Sequence, residues 1–218
     1  MEQQPPLADI PLGFFEYRAT FKEPIFAAWI GRVPLIDGLY KVLLPWGINL
    51  EKVTLTPNPR NLQEAQITFT VPNPPAILNI GIGGVLFSAS NADWSQAPSY
   101  VSLFQTVLDH LKTSLPTEIE PQQAVIGFHV KPGPTPFREI MKRFINTEEL
   151  GSGDTTMYGV GAYGTDYSLL MDASAAVPGG IFVKITRVFL PATHFEEMAA
   201  ILWKDEESIV HRLGFRTQ

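Results

Sequence analysis

The sequence predicts an α+β fold: two pseudo-duplicated halves, each running strand, helix, three strands, helix, on a mainly antiparallel sheet with the helices packed on one face. Three observations carry this. Short runs of apolar–polar alternation recur between turn-forming Pro, Gly and Asn clusters. Runs with apolar residues at three- and four-residue spacing separate them. The order of these patterns from Pro34 to Leu111 returns from Pro136 to Leu213. Residue identity between the halves is slight, so the repeat is one of element order.

The first strand is expected at 14–21, "FFEYRATF", where Phe15, Tyr17, Ala19 and Phe21 alternate with Phe14, Glu16, Arg18 and Thr20. After the apolar connection "EPIFAAWIGRV", a helix near 34–44 is bracketed by Pro34, suited to a first turn, and Pro45, which stops it; Gly38 weakens it. "KVTLT", "EAQITFTV" and "AILNIGIGGVLFSAS", parted by "PNPRN" and "PNPP", read as three strands of a meander. In "SQAPSYVSLFQTVLDHLKTSLP" the period changes. Val101, Phe104, Val107, Leu108 and Leu111 form a helical stripe, with Pro98 near its start and Lys112 near its end.

The second half opens with strand "AVIGFHV" and a helix in "KPGPTPFREIMKRFIN", capped at Thr135, opened by Pro136 and striped by Phe137, Ile140, Met141 and Phe144. "MYGVGAYG", "YSLLMDAS" and "GGIFVKITRVFL" supply three strands with turns at "GTD" and "AAVPGG". "THFEEMAAILWKDEESIVHRLG" closes as a helix, with Thr193 and Glu196 in capping-box spacing and Gly214 as the stop. The predicted organisation is a flexible arm at 1–13, a first half at 14–115 and a second at 122–215, joined through "TSLPTEIEPQQ" into one continuous two-lobed unit. The order of elements resembles that of helix-grip and TATA-box-binding-protein-like folds, in which an antiparallel sheet curves around a long helix. That resemblance is one of topology, with no residue motif behind it.

Composition narrows the chemistry. The 218 residues are 45% hydrophobic and 17% charged, with 14 Phe and 4 Trp, far from the signature of disorder. With no cysteine, thiolate nucleophiles, disulfides and cysteine-bound metals or clusters are excluded. A net charge of -6 with 16 Lys+Arg offers no broad field for a phosphate backbone and disfavours nucleic acid, including the DNA binding that the topological resemblance would imply. "MEQQPPLADIPLGF" lacks the basic and apolar regions of a secretory signal, and the most apolar stretch is broken by Arg32 and Pro34. The expectation is a cytoplasmic protein without membrane spans.

Gly159, Gly161 and Gly164 make a formal G-x-G-x-x-G followed by Asp172. A dinucleotide site needs a helix leaving the glycines and an acid about 20 residues on. "TDYSLLMDAS" is strand-like and Asp172 comes too soon, so the segment reads as a hairpin turning near "GTD". On a strand, Gly159 and Gly161 share a face with Met157 and Tyr163, leaving a shallow trough; Gly81 and Gly83 make a comparable pair. These six residues are the candidate groove for a ligand or partner.

His194 and Glu197, with His211 beyond, do not have the spacing of a zinc motif, and their charges suit the helix ends and an i,i+4 pair from Glu207 to His211. No G-x-S-x-G marks a nucleophile elbow, and neither His110 nor His129 has a local partner. Arg138, Lys142 and Arg143, near Lys131, form a candidate patch for an anion or acidic partner. Trp29 and Trp46 flank the first helix and are candidate interface residues.

From these features the sequence points to a non-catalytic binding or assembly protein that uses a sheet face or strand edge to meet a protein partner or itself, as in a homodimer, with no cofactor or metal. The rival expectation is a small-molecule carrier or enzyme with an apolar pocket between a curved sheet and a helix.

Overall fold

A computed structural model describes residues 5–56, 61–62, 64–92, 96–133, 135, 139–140, 144 and 159–217. Nine strands stand among them: β1 (Asp9–Phe21), β2 (Val53–Leu55), β3 (Gln66–Pro72), β4 (Pro75–Gly81), β5 (Gly84–Ser90), β6 (Ile119–Lys131), β7 (Gly159–Tyr163), β8 (Tyr167–Ala173) and β9 (Ile181–Phe189). Four helices accompany them: α1 (Phe26–Ile30), α2 (Arg32–Leu43), α3 (Ala97–Ser114) and α4 (Phe195–Arg212). The fold is α+β with a mainly antiparallel sheet, as the alternating patterns predict.

The chain divides into two compact units that do not follow the sequence halves. One comprises residues 14–124 with 188–199; the other comprises 1–13, 125–187 and 200–218. In the first, the strand order is β2-β3-β4-β5-β1-β6, and in the second it is β6-β9-β8-β7. Outward from β1 the strands therefore run β5, β4, β3, β2, and outward from β6 they run β9, β8, β7. The same reversed order in both halves is the pseudo-duplication.

In the first unit, β1 alternates as its sequence dictates. Phe15, Tyr17, Ala19 and Phe21 are buried while Arg18 and Thr20 are exposed. The buried rings meet α3 and the start of α4. Phe15 stacks on Phe104 at 5.4 Å, Phe87 meets Phe104 at 4.4 Å, and Phe195 closes on Phe104 edge-on at 5.3 Å. At these separations each pair adds about 0.5–1.5 kcal/mol beyond area burial. Helix α3 buries Leu103, Phe104, Val107, Leu108 and Leu111, with Val101 at the half-buried margin. Helix α2 packs on α3 where Gly38 admits the His110 ring; a Cβ at 38 would lie 2.7 Å from His110 Nε2.

Gln122 on β6 is fully buried and gathers the approach to α4. Its Nε2 donates to the carbonyls of Leu190 (2.9 Å), Pro191 (3.2 Å) and Thr193 (3.2 Å), and its Oε1 accepts the Tyr17 hydroxyl. Burial raises the Tyr17 pKa, so the phenol stays protonated as a donor. The first N–H of α4, at Phe195, donates to Gln105 Oε1 of α3 at 2.9 Å. The capping-box expectation is thus corrected: the helix begins one residue after His194, whose carbonyl accepts the Met198 N–H.

In the second unit, Arg187 of β9 holds Asp205 of α4 through a two-armed pair of 2.6 and 2.8 Å and lies over the Tyr167 ring at 4.7 Å. Helix α4 ends at Arg212, and Gly214 beyond it has a φ of 92°, which suits a residue without a Cβ.

Four expectations need correction. Residues 9–13, expected in a flexible arm, belong to β1, and Leu7 forms a parallel bridge with Arg216. "AILNIGIGGVLFSAS" is a hairpin of two strands, so the first half carries four strands after its helices. "EPIFAAWIGRV" contains α1 and the start of α2. Residues 119–123 of the expected joint lie in β6. Of the helix expected after Thr135, Glu139 and Ile140 are helical and Ile140 is buried, Phe144 lies in a turn, and residues 136–138, 141–143 and 145–146 lie outside the described residues.

Candidate functional site

The glycines of the apparent cofactor fingerprint lie on a strand. Gly159 pairs with Asp172 and Gly161 with Leu170, while Val160 points into the core. The turn to β8 follows, with Gly164 N–H donating to the Tyr167 carbonyl at 2.6 Å. No helix leaves these glycines to receive a phosphate.

Side chains from the same hairpin occupy the space the glycines leave. A Cβ at Gly161 would meet the Tyr163 ring at 3.0 Å, and one at Gly159 would meet the Asp172 carboxyl carbon at 3.3 Å and the Met171 carbonyl at 2.9 Å. Tyr163 thus lies across Gly161 with its ring 82% exposed. Met157 falls outside the described residues.

The second glycine pair is rearranged. Gly81 ends β4, but Gly83 sits in the two-residue turn Ile82–Gly83, so the two do not share a strand face. The turn carbonyls instead accept N–H groups from residues leading into α1: Phe21 donates to Gly83 and Ile25 to Ile82, each at 3.0 Å. The true partner of Gly81 is Gly84, directly across the hairpin. This pair forms the floor of an open depression of about 370 Å³ lined by Arg18, Thr20, Gln66, Asn79 and Leu86.

Trp29 and Trp46 are half-buried. Three of the exposed large apolar side chains fall together beside Trp29 in the sequence, in α1 and the first turn of α2. Phe26 is 51%, Ile30 82% and Val33 74% exposed, and α1 buries none of its residues. Gly31 ends α1 and opens α2, so a second helix starts without the polar residue that commonly caps one. Arg138, Lys142 and Arg143 lie outside the described residues.

One arrangement is invisible in the sequence. Ser174 Oγ lies 2.8 Å from His129 Nδ1, a hydroxyl beside a base from residues 45 apart. The same oxygen accepts the backbone N–H groups of Ala176 (3.2 Å) and Val177 (2.8 Å). With its acceptor capacity used in this turn, the hydroxyl donates to Nδ1, and His129 serves as acceptor. The imidazole packs on Phe182 at 5.0 Å, and burial lowers its pKa, favouring the neutral ring. Among the described residues no carboxylate bonds its other nitrogen, so the pair anchors a turn and lacks the orienting acid of a triad.

Among the described residues no group of three or more His, Asp or Glu side chains is placed to hold a metal, and no helix is long and apolar enough to cross a membrane. The space between the sheet and α3 in the first unit is occupied by Phe15, Tyr17, Phe87 and Phe104.

No family model matches the chain, and no curated protein matches it. Among solved structures, a Methanococcus jannaschii TBP is similar at a TM-score of 0.33 and 12% sequence identity, over 95% of this chain and 98% of that one. At that level of likeness no property is carried across.

Proposed function

We propose that this protein is a non-catalytic binding or assembly module, and that its contact surface is the apolar segment 26–33. The observation that carries the reading is the exposure of Phe26, Ile30 and Val33 within eight residues, the first two on α1, which buries none of its residues, and the third in the first turn of α2. Apolar side chains exposed singly are ordinary, but a cluster beside a half-buried Trp is the composition of an interface centre. Relative to the expected sheet face or strand edge, the proposed contact moves to a helix. Packed rings where a carrier would need a cavity give the small-molecule alternative no comparable support.

The test is Ile30→Glu, compared with the parent chain by light-scattering mass across a concentration series and by partner capture. Burying a charge in an apolar contact costs several kcal/mol, so the substitution should abolish self-association or capture. At dilutions where the parent is dissociated, the exposed position predicts an unchanged melting temperature. A parent that stays monomeric and captures nothing, or an Ile30→Glu variant that behaves identically, overturns the reading.

A further inference from the structure

We infer a second site on the outer sheet face of the first unit, away from the buried rings: the depression over Gly81 and Gly84 binds a small organic carboxylate with a flat apolar body. Its shape follows from register. Thr20, Gly84, Gly81 and Gln66 stand in one row across β1, β5, β4 and β3. Two adjacent glycines leave a gap two strands wide, roughly 10 Å from the usual spacing of neighbouring strands. The next row, Arg18, Leu86, Asn79 and Thr68, walls one side. The volume, about 370 Å³, falls within the range of small-molecule sites, and the solvent side stays open.

The two glycines differ in what demands them. A Cβ at Gly84 would sit 2.5 Å from the Ala19 carbonyl, so the packing of β1 requires glycine there. A Cβ at Gly81 would meet nothing closer than the Ala65 carbonyl at 3.6 Å, an ordinary contact. The fold accepts a side chain at 81, whereas a ligand lying on the sheet would not. Glycine within a strand commonly marks such an approach.

The rim selects the ligand's charge. Arg18 is 60% exposed in its side chain and makes one long contact, 3.4 Å, to Glu16, leaving most of its donor fork available. Asn79 Oδ1 accepts the Thr68 hydroxyl at 2.6 Å, leaving Nδ2 as a donor without a protein partner among the described residues. The Gln66 amide and Thr20 hydroxyl close the ends of the row. Arginine with a side-chain amide beside it suits a carboxylate, and a glycine floor walled by Leu86 suits a flat apolar group.

Benzoate is the probe, with benzamide as its neutral isostere, followed by amide and arginine-side-chain NMR of the full chain at constant ionic strength. Saturable shifts at Gly81, Gly84, Asn79 Nδ2 and Arg18 Nε are expected with benzoate and not with benzamide. Gly81→Val should fill the trough and weaken binding at least tenfold, with the dispersed spectrum retained. Arg18→Ala should weaken it as much without touching the core. Non-saturating shifts, equal shifts with benzamide, or undiminished binding in Gly81→Val overturn the proposal. Ile30→Glu lies outside the depression and should leave benzoate binding unchanged, so this test stands or falls apart from the one on segment 26–33.

Discussion

Glu206 is 8% exposed on α4, and among the described residues no hydrogen bond or ion pair reaches its carboxyl. Desolvation pushes its pKa up from 4.5 to about 7. The folded chain therefore holds a proton that the unfolded chain releases above pH 4.5. Its stabilising effect is complete below that value and is lost as pH rises through 7. The shift corresponds to about 3 kcal/mol between the two limits. Glu206→Gln should be markedly more stable than the parent at pH 8 and nearly equal to it at pH 4, read from urea midpoints; parallel curves would refute the assignment. At this scale little was legible: among the described residues no ion pair joins Glu207 to His211, and the side-chain pairs that hold the units reach far along the chain. The clasp at Gln122 draws on residues 17, 190, 191 and 193, and the Ser174–His129 pair spans 45 positions. No spacing rule connects such residues before the strands align them. The approach of Asp172 to Gly159 is of the same kind, set by the register of β7 and β8.

Among elements, α2 and α3 meet at a position where ordinary helix propensity gives the wrong sign. Replacing a helical glycine by alanine usually stabilises by up to about 1 kcal/mol. Gly38→Ala should instead destabilise by about 1 kcal/mol, because the new methyl meets the His110 ring, which lies 3.3 Å from Ser114 Oγ and must swing away. In a His110→Ala background the same change should turn stabilising. A double-mutant cycle by chemical denaturation measures the coupling, and additive effects would show that the ring relaxes freely. The long helices were legible because burial of one face had written a 3.6-residue period into α3 and α4. Helix α1 buries nothing, so it carried no such imprint. The β4–β5 hairpin was missed because its turn, Ile82–Gly83, is half apolar and lacks the Asn-Gly or Asp-Gly that announces a tight turn.

For the whole molecule, the order of elements was legible and the division into units was not. Strands β1, β6 and β9 and helix α4 each give residues to both units. A cut at the expected joint therefore removes residues 188–199 from one unit and 1–13 from the other. Fragments 1–118 and 119–218, expressed separately, should lack a cooperative thermal transition by circular dichroism, and co-expression should restore one. A sharp transition in either fragment alone would refute this. The pairing of β1 also has a consequence in time. Its residues 14–20 find their β5 partners at 84–90, about 70 residues later in the chain. At a synthesis rate of about 5–20 residues per second, Phe15 and Tyr17 wait roughly 4–14 s before that neighbour leaves the ribosome. During that interval the nascent chain offers an unpaired aromatic strand, and the first unit cannot close until synthesis also delivers Val188–Ala199.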